Sequence, residues 1–206
     1  MKKICIKTLI IIILSITNVS AEVKKFNMVF VPASEKGDEN DYTSLINIVN
    51  KLTSFEIKFI KVTDYNAAVE AMRADRAQIA WYGGKTYIKA AELANAVAFA
   101  AGVRPGEKDA GYFTYFVVRA DSSLKDFTDV KGKVLSLNSI GSTSGDLIPQ
   151  VELAKIKLST TDKNDFKKVF YAGSHDACLL AVLNKQADVC GMSSRNFEAR
   201  LADKTF

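Results

Sequence analysis

"DYNAAVEAMRADRAQIAWYGG", residues 64–84, sets the fold class. Behind Asp64, whose short side-chain oxygen suits a helix cap, apolar residues recur at helical spacing. The pattern then changes to a short apolar run that halts at Gly83-Gly84, as a buried strand halts at a turn. Working outward, the same alternation continues on both sides. Upstream, "KKFNMVFVPAS" reads as a strand stopped by a Pro-containing loop. "DYTSLINIVNKLTS" reads as a helix carrying Leu45, Ile46, Ile48, Val49 and Leu52, and "FEIKFIKV" as a half-buried strand. Downstream, "KTYIKAAELAN" is helical and "AVAFAAGV" strand-like. Strand and helix in turn imply a parallel sheet with helices on its faces.

Residues 104–111, "RPGEKDAG", combine proline, two glycines and mixed charge, and form the best linker candidate. Beyond them the alternation resumes. "YFTYFVVRA" is a strand of aromatic and β-branched residues, and "SLKDFTDVKGKVLSLN" a short helix, a turn and a strand. "SGDLIPQVELAKI" is a helix, "FKKVFYAG" a strand, "SHDACLLAVLNKQ" a helix and "ADVCGM" a last strand. The tail "SSRNFEARLADKTF" has no recognisable closing feature. The expected architecture is α/β in two lobes, residues 22–103 and 112–206, with the linker acting as hinge. Each lobe is a mainly parallel sheet flanked by helices, and ligand binds in the cleft at the carboxyl ends of the strands.

Residues 1–21, "MKKICIKTLIIIILSITNVSA", have the three-part form of a cleavable secretory signal: a basic start, an apolar run from Leu9 to Leu14, and small residues ending at Ala21. The run falls short of the roughly 20 residues that span a bilayer. Cys5 precedes the run, which does not support a lipoprotein anchor. Removing Lys2, Lys3 and Lys7 takes the formal charge from +5 to +2. The remaining charges are interleaved and offer no basic block for nucleic acid. Cys178 and Cys190 either pair in an oxidising compartment or are two small buried hydrophobes, and the second reading has the slightly stronger claim. Two cysteines and the single histidine, His175, do not make a zinc site, and no cofactor is implied.

The chemistry centres on "NSIGSTSGDLIP", residues 138–149. A serine-hydrolase turn needs G-x-S-x-G, but in "GSTSG" the middle residue is Thr143, so a nucleophilic serine backed by His175 and an acid such as Asp165 is disfavoured. Gly84-Lys85-Thr86 imitates the end of a nucleotide phosphate loop, yet the required first glycine is Ile79. An anion site at the start of a helix fits better. The first N–H groups of a helix lack internal partners, small hydroxyls add donors, and glycine lets backbone approach closely. An ordinary cap explains "STSG" equally simply and, on that segment alone, has the stronger claim. "YAGSHDACLLAV" repeats the grammar and places His175 at a second helix start, as an exposed cap or as a residue facing a ligand. The helix dipole would lower the His175 pKa and a bound oxyanion would raise it.

"DYNAAVEAMRADRAQIAWYGG", "AGYFTYFVVRADSSL", "DVKGKVLSLNSIGSTSG" and "YAGSHDACLLAVLNKQADV" together resemble the PhnD-type solute-binding proteins of ABC transporters for phosphonate, phosphite or phosphate, from about Phe26 to Val189. The resemblance implies a two-lobed type II periplasmic binding protein without catalysis. It implies a small phosphorus oxyanion as ligand, a membrane permease as partner and the periplasm as location; a monomer is expected. A sensor subunit feeding a histidine kinase is the alternative. The resemblance places the oxyanion on Ser142, Thr143, Ser144 and His175, with Tyr65 and Tyr112 facing the cleft and Tyr82 nearby. Core packing is the competing role for the tyrosines. Relatives that take aminoalkyl phosphonates set an acid against the ammonium group. Arg195 stands near that position, with Glu198 three residues on, which favours a more anionic ligand. Relatives also continue past this point with a strand returning to the first lobe, so a truncated or short divergent member with an exposed sheet edge is expected.

Overall fold

The computed structural model of the 206-residue chain describes residues 24–34 and 38–203. The proposed leader, residues 1–21, lies outside the described residues. Strand β1 (Lys24–Phe30) is the middle of a parallel sheet ordered β2 (Phe55–Ile60), β1, β3 (Ile79–Trp81). Its side chains alternate across the sheet, as strand geometry requires. Val29 meets Tyr65, Ala68 and Ala71 on one face, and Met28 and Phe30 meet Ile46 and Ile57 on the other. These partners come from β2 and from helices α1 (Asp38–Leu52) and α2 (Tyr65–Arg73). Asp64 caps α2 as the sequence predicts: its backbone is extended and its carboxylate accepts from the Ala67 N–H at 2.8 Å. Helix α3 (Gly84–Ala94) follows β3 directly.

The second sheet is ordered β4 (Thr114–Val117), β7 (Val189–Ser193), β5 (Val134–Leu137), β6 (Lys168–Tyr171). β5 is parallel to both neighbours, and the edge strand β4 runs antiparallel to β7. One face buries Leu135, Leu137 and Val189 against Leu153 of α4 (Ile148–Lys155). The other buries Cys190 and Met192 against Cys178, Leu179 and Val182 of α5 (His175–Leu183). All five residues of β7 are buried. A fully buried Leu or Val contributes about 1.5–3 kcal/mol relative to its exposed state, so these strands fix the register of everything attached to them.

Four features depart from the sequence reading. "AVAFAAGV" forms no strand: residues 96–103 lie outside helix and sheet, and among the described residues β3 ladders only with β1. An apolar run without a ladder partner stays irregular. "YFTYFVVRA" forms a strand only over Thr114–Val117, the length its pairing with β7 supports. The tail, expected to be featureless, forms helix α6 (Ser194–Ala202), with Phe197 packed on the α5 cluster and Arg200 bonded to Asp176. Cys178 and Cys190 are both buried and joined as a disulfide, against the reading of two unpaired hydrophobes. Helix α5 runs back into β7 and brings the two Cα atoms to 5.7 Å, within bridging range. Among the described residues no helix is long and apolar enough to cross a membrane.

Candidate functional site

A cavity of about 350 Å³ is shared by the two sheets, and all eight sequence-derived candidates line it: Tyr65, Tyr82, Tyr112, Ser142, Thr143, Ser144, His175 and Arg195. It lies where β1, β3, β5, β6 and β7 give way to the segments that follow them, at the carboxyl ends of the strands. The starts of α3 (Gly83, Gly84), α5 (His175) and α6 (Arg195) contribute to its wall, as does the Ser142–Ser144 segment ahead of α4.

The hydroxyl loop is built from β5 outward. Gly141 has φ of +105°, which a residue with a side chain rarely adopts, and turns the chain back over the end of the strand. Ser142 then caps a single π turn, Thr143–Leu147, that runs into α4. Its Oγ accepts from the Gly145 N–H at 3.0 Å and from Asn138 Nδ2 at 3.4 Å. Gly145 must be glycine, because a Cβ there would stand 2.2 Å from Asn138 Cβ. Thr143 Oγ1 accepts from the Lys85 N–H at 2.9 Å, supplying from the other sheet a cap that Gly83 cannot give α3. A hydroxyl oxygen that accepts keeps its own O–H to donate. Ser142 and Thr143 are therefore set up as donors, and Ser144 is buried beside them.

His175 is 3% exposed and neutral: burial pushes its pKa down to about 4, only partly countered by the Asp176 carboxylate. Its Nδ1 accepts from the Ser193 N–H at 3.3 Å, which assigns the proton to Nε2. Nε2 is left as a donor. Among the described residues the His175 imidazole accepts from Ser193 and its backbone N–H donates to the Ala33 carbonyl, and neither meets Ser142 or Ser144, so no serine–histidine nucleophile is assembled. Tyr65, on α2 and 3% exposed, accepts from Asn138 Nδ2 at 3.4 Å. Tyr82 presents its ring to the cavity, but its hydroxyl donates to the Ala68 carbonyl at 3.0 Å and burial pushes its pKa up to about 12. That phenol is a packing group. Tyr112 is 41% exposed at the cavity rim, with the Arg195 guanidinium 5.4 Å from its ring centre.

Arg195 lines the cavity, yet its terminal nitrogens are engaged elsewhere. Nη2 donates to Glu107 and to the carbonyls of Ala110 and Gly111 at 3.0–3.1 Å, and Nη1 to the Gly102 carbonyl at 3.4 Å. It ties down the segment between the sheets. Glu198 faces away, paired with Arg104 at 2.8 Å and Tyr115 at 3.1 Å. Among the described residues lining the cavity there is no aspartate or glutamate. Among the described residues no group of three or more His, Cys, Asp or Glu side chains can hold a metal ion.

Sequence reasoning missed Asn138, which reaches both Ser142 and Tyr65, and it missed the two residues after the glycines of "YGGKTY". Thr86 Oγ1 donates to the Gly141 carbonyl at 2.8 Å, and Lys85 Nζ pairs with the buried Asp146 carboxylate. A polar residue closing the apolar strand "VLSLN" was the available signal for Asn138. For Lys85 and Thr86 it was the discarded "GKT".

The sequence model of one family, the periplasmic substrate-binding protein of phosphonate ABC transporters, matches residues 28–205. The chain is 29% identical over 170 residues to the phosphonates-binding periplasmic protein of Escherichia coli, covering 80% of this chain and 49% of that protein. It is 31% identical over 168 residues to the phosphate-import protein PhnD of Mycolicibacterium smegmatis, covering 77% and 51%. Among solved structures, a binding-protein component of a phosphonate transporter from Pseudomonas aeruginosa aligns with a TM-score of 0.75 at 23% identity, over 89% of this chain and 62% of that one. PhnD1 from Prochlorococcus marinus, in complex with methylphosphonate, aligns with a TM-score of 0.74 at 22% identity, over 88% and 68%. The structural likenesses carry the fold, that of the type II periplasmic binding proteins. The chain spans about half the length of the curated relatives it matches. It belongs to the family of periplasmic substrate-binding proteins of phosphonate ABC transporters.

Proposed function

We propose that this member of the family captures a small phosphorus oxyanion in the periplasm and delivers it to an ABC permease, without catalysis. The observation that carries the reading is the cavity wall: hydroxyl and N–H donors from both sheets, several at helix starts, with no carboxylate among the described residues that line it. Such a wall stabilises an anion through fixed dipoles and needs no net protein charge. Ser142, Thr143 and Ser144 would donate to the phosphorus oxygens, neutral His175 would add Nε2–H, and Tyr65 and Tyr112 would cover the ligand and exclude water. Arg195 would serve by holding the connecting segment, and Tyr82 by packing.

The proposed lobes are residues 22–103 and 112–206, with 104–111 as the hinge about which they close. Relatives named for phosphonates, phosphate and phosphite support the ligand class. The described part of the wall, which holds no carboxylate, sharpens it. An ammonium group buried against that described wall would lack a counter-charge, so phosphate, phosphite or methylphosphonate should bind more tightly than 2-aminoethylphosphonate, by at least about tenfold. Calorimetric titration with the four ligands tests this. Binding of one or more of the first three, with the aminoalkyl compound weakest, is expected. No heat from any of them at millimolar concentration would overturn the ligand assignment, and tightest binding of 2-aminoethylphosphonate would overturn the selectivity.

A further inference from the structure

The sequence "GGKT", residues 83–86, is not a nucleotide loop, yet its Lys85 and Thr86 reach the hydroxyl loop of the opposite sheet. Three bonds join the start of α3 to residues 141–146. The Lys85 N–H donates to Thr143 Oγ1 at 2.9 Å, Thr86 Oγ1 donates to the Gly141 carbonyl at 2.8 Å, and Lys85 Nζ pairs with Asp146. Asp146 is 1% exposed, whereas the Lys85 side chain is 31% exposed. Asp146 has three further donors from its own side of the cavity: the Tyr171 hydroxyl at 2.8 Å, Gln150 Nε2, and the Gly141 N–H at 3.3 Å. Burial alone would raise the Asp146 pKa, but the bonds from Lys85, Tyr171 and Gly141 outweigh it and hold the carboxyl below its ordinary value. With these bonds made the carboxylate is charged, and three of its four donors belong to the second sheet's own body.

We infer that Lys85 and Thr86 are positioning residues: a clasp that draws the first sheet's body onto the back of the oxyanion loop and biases the chain toward the closed cleft. The clasp touches both ends of the loop. Thr86 holds it at Gly141, before the three hydroxyls, and Lys85 holds it at Asp146, after them. Neither the Lys85 ammonium nor the Thr86 hydroxyl is needed to contact ligand. Their bonds exist only when the two bodies meet, so they favour closure directly, and closure sets the apparent affinity through the fraction of chains that are binding-competent. Lys85 makes the stronger contact because its charge meets a buried carboxylate.

Lys85→Met keeps the aliphatic stem and the backbone bond to Thr143 while deleting the charge. Thr86→Val keeps the shape and deletes the donor. Both variants are compared with the unaltered chain by small-angle scattering without ligand and by methylphosphonate binding kinetics. The clasp predicts a larger radius of gyration for ligand-free Lys85→Met. It also predicts affinity weakened about tenfold, mainly through faster release, with a loss of about threefold for Thr86→Val. Lys85→Arg should restore most of the affinity, and Asp146→Asn combined with Lys85→Met should be no worse than Asp146→Asn alone. A lower melting temperature with unchanged radius and unchanged release rate would make Lys85 merely structural and overturn the inference. The affinity comparison rests on the oxyanion reading; the ligand-free scattering does not. If methylphosphonate fails to bind the unaltered chain but the radii differ, the ligand assignment falls and the clasp stands.

Discussion

The two sheets differ in how much of their own apolar surface they bury. The second sheet places Leu135, Leu137, Val189 and Met192 fully inside, threads β7 between two neighbours, and is bridged from α5 to β7 by Cys178–Cys190. Among the described residues the first sheet has three strands and leaves Leu52, Ile88, Val97 and Phe99 more than half exposed along its helices and the segment after α3. The hydroxyl loop, where donor positions must be fixed to a fraction of an ångström, grows from the better-packed sheet. The first sheet's body contributes Tyr65 and Tyr82 to the cavity wall and makes the Lys85–Thr86 contacts. Preorganised donors belong on the stiff partner, because a loop free to relax loses the geometry that makes its dipoles useful.

The largest test of that contrast is in stability. Leu135→Ala, at a fully buried site in the second sheet, should cost about 2–5 kcal/mol in denaturant unfolding, whereas Phe99→Ser, 82% exposed beside the first, should stay within about 0.5 kcal/mol. Equal losses would show that burial does not set the cost at these two positions. A smaller effect is tied to His175. Its pKa is about 4 in the folded chain against an ordinary 6.5, so between those values the unfolded chain holds more protons. Stability should therefore fall as pH drops from about 6.5 to about 4, by roughly 2–4 kcal/mol from this residue, and be fully retained above that window. Chemical denaturation across that range with His175→Gln as control reads it; an identical slope in the variant would show that burial of the imidazole is not the cause.

Much of the scaffold was legible because it is local. Asp64 before an apolar helix, the alternation in "FEIKFI" and the apolar strand "ADVCGM" each carry their own period or cap. The candidates at the helix starts were legible for the same reason, and the structure gathers all eight around one cavity. The missed features depend on partners far along the chain. Lys85, Thr86 and Asn138 act on residues 61, 55 and 73 positions away, and no local pattern marks such a contact. Helix α6 was missed because its apolar content is small; Phe197 docks it and Arg200 anchors it to Asp176. "AVAFAAGV" misled in the opposite sense, since an apolar run specifies burial or pairing only if a neighbour is there to receive it.

The central claim is that hydroxyls of the second sheet's loop hold the phosphorus oxyanion. Its most direct test is calorimetric titration of methylphosphonate into the chain and into a variant with Ser142, Thr143 and Ser144 all replaced by alanine, after circular dichroism has shown both folded. The account predicts clear binding by the unaltered chain and at least about a hundredfold weaker binding by the variant, because three charge-assisted hydrogen bonds are lost together. Unchanged affinity in a folded variant would contradict it and place the anion elsewhere.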